Sequence, residues 1–153
     1  MIVVSDTTAI TSLLKIGQAE VLQRLFALVI IPEAVRDDLL NYHSELPAFI
    51  EIHAVQDKSG LPRLLLDLDH GEAEAIILAK ELQADALLID EKKGRHLAEQ
   101  EGIRCLGLVG ALLLAKKEKI IPSLKELLDD LEQRANFYLH PELKEQFLRQ
   151  AGE

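Results

Sequence analysis

The chain contains 153 residues, of which 48% are hydrophobic and 28% are charged. This length and this balance predict one soluble globular domain and exclude an intrinsically disordered protein. The net charge of −9 disfavours a simple nucleic-acid binder, which usually has a basic surface, but it does not exclude a nuclease site built from carboxylates and bound cations.

The cysteine content and the apolar segments bear on the cellular compartment. The single cysteine, Cys105, excludes a disulfide framework and a thiolate metal site, and it favours a reducing, cytoplasmic compartment. The segment 1–6 has no positively charged region and ends in an acid, so it does not predict a signal peptide. The longest unbroken apolar stretch, 106–115, is too short to cross a bilayer and predicts a buried helix, so we expect no membrane association.

The first part of the chain alternates between short apolar runs and amphipathic segments. Strands are predicted at residues 2–4, 28–31 and 50–55. Helices are predicted at residues 7–16, 19–26 and 33–40. The third helix begins just after Pro32, since proline suits the first turn of a helix. The sequence Ser-Gly-Leu-Pro at 59–62 predicts a loop.

The alternation continues through the second part. Strands are predicted at residues 86–89 and 103–106. Helices are predicted at residues 71–82, 92–100 and 106–117, with two more between 122 and 149 that are broken at 139–141. Strands that alternate with helices predict an α/β fold with a parallel sheet covered on both faces. We therefore expect a single domain over residues 1–153, with a helical tail at 122–150, and no glycine-rich phosphate loop supports nucleotide binding.

Four acids lie where a parallel sheet would bring them together. Asp6 and Asp90 directly follow predicted strands, Asp38 lies about one helical turn after the strand at 28–31, and Glu72 begins the helix before the strand that ends at Asp90. Chemistry in such sheets occurs beyond the carboxyl ends of the strands. Carboxylates brought close together repel one another unless a cation holds them, and hard oxygen ligands suit Mg²⁺ or Mn²⁺. Such a metal lowers the pKa of a bound water and stabilises charge at phosphorus.

Each of these acids also has a purely structural interpretation. Asp6 and Asp90 could cap the helices that follow them. Asp69 and Glu72 have the spacing of a capping box, in which Glu72 reaches back to a backbone N–H. Asp38 could be a solvated acid on a helix surface. Residue types and spacing alone leave the metal site and these interpretations equally open.

Several neighbouring side chains are weaker candidates. Glu74 lies two positions from Glu72 on a helix and is expected to face away from it, and Glu91 is expected to lie outside the metal set as well. His70 is a minor candidate for a base. A basic group follows Asp90 and could hold substrate phosphates, although a solvated helix face is the favoured interpretation. Its members are Lys92, Lys93, Arg95 and His96.

Four segments in this order resemble the PIN-domain superfamily, and within it the prokaryotic DUF3368 branch, which is related to the toxins of toxin–antitoxin pairs. The segments are 2–9, 30–39, 68–79 and 84–95. The resemblance covers residues 1–120 closely and the tail more loosely. It implies a three-layer α/β/α fold whose parallel sheet of about five strands has the order 3-2-1-4-5.

The family's four acids match positions in this chain one by one. They fall on Asp6, Asp38, Glu72 and Asp90. The second family acid is usually glutamate and the third is usually aspartate, so the swaps at positions 38 and 72 keep the charge and change the reach by one methylene. The family often places Thr or Ser before the fourth acid, whereas Leu88 and Ile89 stand there in this chain. Thr7 and Thr8 are the alternative sources of a hydroxyl.

The resemblance implies a metal-dependent ribonuclease that hydrolyses RNA phosphodiester bonds. The four acids would hold one or two Mg²⁺ or Mn²⁺ ions, and the protein would act as a toxin that an antitoxin protein holds inactive. We also expect a homodimer, because relatives commonly dimerise and the tail carries more apolar surface than a thin outer layer needs.

Two alternatives remain open at this point. A PIN-like scaffold could serve as a binding or assembly module with a weak or silent site, which the net charge of −9 and the two swapped acids favour. A phosphoryl-transfer domain of the receiver or haloacid-phosphatase type also places acids at strand ends. That second alternative lacks its usual Asp-x-Asp pair, because Thr8 stands where the second aspartate would be.

Overall fold

The computed structural model describes residues 1–153 and contains a five-stranded parallel sheet. Its strands are β1 (Ile2–Ser5), β2 (Leu28–Ile31), β3 (Ile50–Ile52), β4 (Ala86–Leu88) and β5 (Cys105–Leu106). Their order is β3-β2-β1-β4-β5, and every neighbouring pair is parallel. The α/β class and the strand order are therefore confirmed. Because β1 pairs with both β2 and β4, the residues that follow these three strands meet at one edge of the sheet.

Nine helices cover the sheet. They are α1 (Thr7–Lys15), α2 (Glu20–Leu25), α3 (Glu33–Leu40), α4 (Leu61–Leu64), α5 (His70–Glu81), α6 (Lys92–Gln100), α7 (Leu108–Lys117), α8 (Leu124–Arg134) and α9 (Pro141–Gln150). Successive side chains of a strand point to opposite faces, so Val3 and Val4 of β1 enter two different cores. The first core includes residues of α1, α3, α7 and α8, and the second includes residues of α5 and α6. The sheet is thus buried on both faces, which explains why β1 shows no polar alternation.

Several elements differ from their predicted bounds by one or two residues; the strand predicted at 103–106, for example, begins only at Cys105. Three other differences involve β3, the boundary between β5 and α7, and α4. The strand predicted at 50–55 ends at Ile52, because its only neighbour β2 ends at Ile31 and the chain there turns into α3 at Glu33; the bond from the His53 amide to the Ile31 carbonyl is the last of the ladder. Leu106 belongs to β5 and not to the following helix, which begins after Gly107. The predicted loop at 59–62 contains the start of the one-turn helix α4, which is too short to show a helical period.

The two tail helices pack differently. The apolar face of α8 is fully part of the first core, through Leu124, Leu127, Leu128 and Leu131. Helix α9 has no fully buried residue, although Phe147 and Leu148 rest against that core. Much of the apolar surface of the tail is therefore used within the chain. None of the helices combines the length and the apolar character that crossing a membrane requires.

Candidate metal centre

Asp6 lies at the carboxyl end of β1 with its side chain buried and unpaired. Its amide donates to the carbonyl of Leu88 at 3.0 Å, which joins this position to the neighbouring strand β4. The side chain is 2% exposed, and Oδ1 has no hydrogen-bond partner. Asp6 occupies the N-cap position of α1 but makes no capping hydrogen bond. The interpretation of Asp6 as a helix cap is therefore correct in position but is not supported by a hydrogen bond.

Asp90 follows β4 and Ile89, and it contacts a helix that begins 18 residues later. Its Oδ1 accepts a hydrogen bond from the amide of Leu108, the first residue of α7, at 3.0 Å. Its Oδ2 is buried without a partner. The interpretation of Asp90 as the cap of the next helix is wrong, because Glu91 caps α6 by accepting from the amide of Gly94 at 2.6 Å.

Burial dominates the electrostatics of this pair. Burial raises the pKa of Asp6 well above its usual value, and the charge of Asp90 raises it further, followed by Glu72 and Asp69. The Ala9 amide lowers this pKa without reaching hydrogen-bond geometry. Burial also raises the pKa of Asp90, against the opposing effects of the Leu108 amide and the Arg95 charge.

Glu72 forms the capping box that its spacing predicted. Its amide donates to Oδ1 of Asp69 at 2.8 Å, and its Oε1 accepts from the amide of Asp69 at 3.2 Å. This structural interpretation is confirmed. Glu72 still lies near enough to Asp6 to raise the pKa of that residue. Burial raises the pKa of Glu72 itself to about 7, with contributions from Asp69 and Glu91.

Asp38 is connected to the pair through a hydroxyl. Its Oδ2 accepts a hydrogen bond from Oγ1 of Thr7 at 2.8 Å, and Thr7 is the residue after Asp6. A Cβ at Gly71 would lie 3.5 Å from the same hydroxyl and 3.6 Å from Oδ1 of Asp69. The beginnings of α1 and α5 therefore approach closely here, which places Asp38 and Glu72 on the same side of the sheet as Asp6.

The four acids do not form a compact cluster. No three His, Cys, Asp or Glu side chains converge closely enough to hold a metal ion by themselves. The structure brings Asp6 and Asp90 together, keeps Glu72 within range of their charge and joins Asp38 to Thr7. The four-carboxylate metal site therefore stays a prediction. The unpaired oxygens of Asp6 and Asp90 fit a hard divalent cation, because such ions take oxygen ligands and a buried charge without a partner is costly.

The profile of the DUF3368 family, described as a PIN domain, matches residues 2–153. The chain belongs to the DUF3368 family of PIN domains. Members of the PIN-domain family are generally nucleases and typically depend on divalent metal ions. Among solved structures, the chain is similar to a PilT N-terminus domain protein from the hyperthermophilic archaeon Sulfolobus solfataricus. The two are 19% identical with a TM-score of 0.47, over 92% of this chain and 98% of the other. No curated protein matches it.

Most of the secondary candidates of this PIN domain have structural partners. Glu74 is 6% exposed and accepts a hydrogen bond from the amide of Ala34 at 3.1 Å, so it holds the beginning of α3 and faces away from Glu72 as expected. Lys93 pairs with Asp67 at 2.7 Å. His70 lines a different cavity, together with Glu74.

A cavity of about 460 Å³ opens beside Asp90 in this PIN domain. Thr8 and Arg95 line its polar side, and the tail forms its apolar side. Sequence reasoning missed Gly107, which also lines it. A Cβ at position 107 would lie 3.0 Å from Oδ1 of Asp90. A side chain there would press on the carboxylate, so the small residue leaves room for its bond to α7.

Proposed function

We propose that this PIN domain is a ribonuclease that hydrolyses RNA phosphodiester bonds with Mg²⁺ or Mn²⁺ bound between Asp6 and Asp90. The observation that carries the proposal is the pair of buried carboxylates, each with one oxygen that has no hydrogen-bond partner. A buried charge of this kind is strongly unfavourable without a counter-charge. A divalent cation supplies that charge, and a nuclease needs it at the same place to act on phosphate.

The residues around the pair have distinct roles in this proposal. Asp6 and Asp90 would hold the metal, and Asp38 and Glu72 would add negative charge around it. The cation, when bound, activates water and stabilises negative charge at phosphorus. The Leu108 amide fixes the orientation of Asp90, and the Thr7 hydroxyl fixes that of Asp38. Arg95 provides positive charge for the phosphate in a chain whose net charge is −9.

A cleavage assay with matched variants tests the ribonuclease. Purified protein is incubated with single-stranded RNA in Mn²⁺ and in EDTA. We expect cleavage by the wild type in Mn²⁺ alone, and a loss of about 100-fold or more in Asp6→Asn and in Asp90→Asn, because asparagine keeps the shape but loses the charge. Asp37→Asn, an exposed acid beside Asp38, is the control and keeps full activity. Cleavage that survives in both site variants would mean a contaminant or a different site.

In the cell, we propose that this activity belongs to a cytoplasmic toxin that an antitoxin protein inhibits. The support is the relationship of the DUF3368 branch to toxin families. Expression of the wild type should arrest growth, expression of Asp90→Asn should not, and co-expression of an antitoxin protein, sought in a short reading frame beside this gene, should restore growth. Equal growth with wild type and Asp90→Asn would contradict the toxin role and leave the ribonuclease assay to stand alone.

A second candidate function is a catalytically silent binding or assembly module. It is favoured by the absence of three converging ligands and by the capping hydrogen bonds that occupy Glu72. Such a module would bind RNA or a protein without cleaving either. No cleavage of single-stranded, duplex or hairpin RNA in Mg²⁺ or Mn²⁺, with stoichiometric binding retained, would favour the module over the enzyme.

A further inference from the structure

We propose that the cavity beside Asp90 is a base-binding subsite, in which an unpaired nucleotide of the RNA stacks on Tyr138 and Arg95 contacts a neighbouring phosphate. The proposal rests on the proposed ribonuclease function and narrows its substrate to RNA with an unpaired base next to the bond that is cleaved. It assigns a function to the segment between α8 and α9, which contains none of the four acids.

The cavity joins the candidate metal centre to the tail. Its lining combines the polar Asp90 and Thr8 with Tyr138, Leu143 and Phe147 of the tail. Its volume of about 460 Å³ is in the range of sites for small organic groups. A nucleotide likewise has a polar and a less polar part: a charged phosphate at one end and a flat, weakly polar base at the other. A phosphate at Asp90 would therefore place an adjacent base against the tail.

Tyr138 is exposed in a way that the core does not explain. It is 80% exposed, whereas the adjacent Phe137 packs against the first core. The position is held by an ordered turn: Asn136 has a φ of 51°, and the amide of Phe137 donates to the carbonyl of Leu131 at 3.0 Å. Asn tolerates this left-handed conformation and ends the helix there. An exposed aromatic ring on a fixed turn is a surface on which any base can stack.

Arg95 is the only member of the basic group after Asp90 that lines the cavity. Neither Arg95 nor Lys92 takes part in a salt bridge, whereas Lys93 is paired with Asp67. A Cβ at Gly107 would lie 3.8 Å from Nη1 of Arg95 and 3.0 Å from Oδ1 of Asp90, so the guanidinium and the carboxylate flank the same small patch. A guanidinium can bind phosphate oxygens in pairs. In this acidic chain, Arg95 therefore supplies positive charge beside the cavity, where an RNA phosphate would bind.

Tyrosine fluorescence tests the stacking directly, because the chain has two tyrosines and no tryptophan. In a Tyr42→Phe background Tyr138 is the only strong emitter. The probes are a single-stranded oligoribonucleotide and the same strand with one abasic position. Both are measured in the presence of Ca²⁺, because this ion also binds oxygen ligands such as carboxylates. We expect the intact strand to quench Tyr138. The abasic strand, when the missing base falls in the subsite, should quench little and bind roughly 10-fold more weakly.

Variants separate the ring from the hydroxyl and from general surface effects. Tyr138→Ala should weaken binding of the intact strand roughly 10-fold, and Tyr138→Phe should bind like the wild type, because stacking needs only the ring. Tyr42→Ala, at a tyrosine that is 74% exposed and outside the cavity, is the matched control and should bind normally. In Tyr138→Ala the abasic position should have no further effect. Arg95→Gln should reduce the slope of log K against log salt by about 0.7, which is one phosphate contact.

The outcomes distinguish this subsite from the ribonuclease itself. Cleavage by the wild type, with equal binding of intact and abasic strands and no effect of Tyr138→Ala, would overturn the subsite and leave the ribonuclease intact. Binding that depends on Tyr138 without cleavage in any metal would overturn the ribonuclease and leave a single-strand binding site. Binding of fully paired duplex as tightly as of single strands would also overturn the subsite, because paired bases cannot reach Tyr138.

Discussion

Burial and, after it, the charge of Asp90 raise the pKa of Asp6, and each of these two carboxylates has one buried oxygen without a hydrogen-bond partner. The two residues follow adjacent strands, β1 and β4, so their meeting is a direct result of strand pairing. A pair of this kind lowers the stability of the fold at neutral pH. Buried polar atoms without a hydrogen-bond partner are unfavourable in a protein core, and they are expected at functional sites.

The first prediction concerns pH. A carboxyl whose pKa is raised in the folded state keeps its proton where the unfolded chain has lost it. The resulting cost is therefore absent below the unfolded pKa of about 4 and grows as the pH rises through the higher folded pKa. In EDTA, the stability of Asp6→Asn relative to the wild type should therefore be greater at pH 8 than at pH 4. Urea denaturation at pH 4, 6 and 8 measures this, and a difference that does not change with pH would contradict it.

The second prediction concerns divalent metal. A ligand at 100 times its Kd adds about 2.7 kcal/mol to the free energy of unfolding. Wild-type protein should therefore melt at a higher temperature in Mn²⁺ than in EDTA. The increase should disappear in Asp90→Asn, which has lost a ligand charge. Identical wild-type melting curves in Mn²⁺ and EDTA would count against the metal centre.

The third prediction concerns Gly107. The new Cβ of Gly107→Ala would lie 3.0 Å from Oδ1 of Asp90, so the carboxylate would have to shift by a few tenths of an ångström and its bond to the Leu108 amide would be strained. We expect ribonuclease activity to fall by up to roughly 10-fold, since misplacement by a full 1 Å costs about 100-fold. Gly60→Ala is the matched control, because a Cβ at position 60 meets nothing within 4 Å. Equal activity in the two variants would show that the carboxylate position is not critical.

The fourth prediction is that Glu74 has a structural role and is not a ligand of the metal site. Glu74→Ala removes the acceptor of the Ala34 amide and should lower the free energy of unfolding by about 1–3 kcal/mol. Glu74→Gln should cost less, because its amide oxygen still accepts the bond. Neither change should alter the Mn²⁺ concentration at half-saturation, followed by calorimetry. Weaker Mn²⁺ binding in Glu74→Gln would place this acid in the metal set.

The fifth prediction is a homodimer. The face of α8 is used within the chain, so the remaining apolar surface is on other elements, such as Leu66 after α4 and Leu40 of α3. Light scattering at micromolar concentration should give twice the mass of one chain. Leu66→Glu and Leu40→Glu, measured in parallel, should identify which surface is buried. A monomeric mass for the wild type at micromolar concentration would contradict the predicted homodimer.

The local hydrophobic pattern of the sequence was enough to predict many of the helices and strands. The apolar run at β2 and the amphipathic stretches at α3 and α6 have the bounds that periodicity predicted, because each element buries one repeating set of side chains. The capping box of Asp69 and Glu72 was also readable, since its partners are three residues apart. The strand order, by contrast, came from the family resemblance, because no local pattern states which strands are neighbours.

The partners of the acids were decided by tertiary structure alone. Asp90 accepts from an amide 18 residues away, Asp38 from a hydroxyl 31 residues away and Glu74 from an amide 40 residues away. Sequence places an acid after a strand, and a helix cap is then the nearest partner it suggests. Which amide the carboxylate reaches depends on how the helices pack on the sheet, and that packing is set by the two cores. The sequence could therefore name Asp6 and Asp90, but only the packed fold leaves their oxygens buried and unpaired.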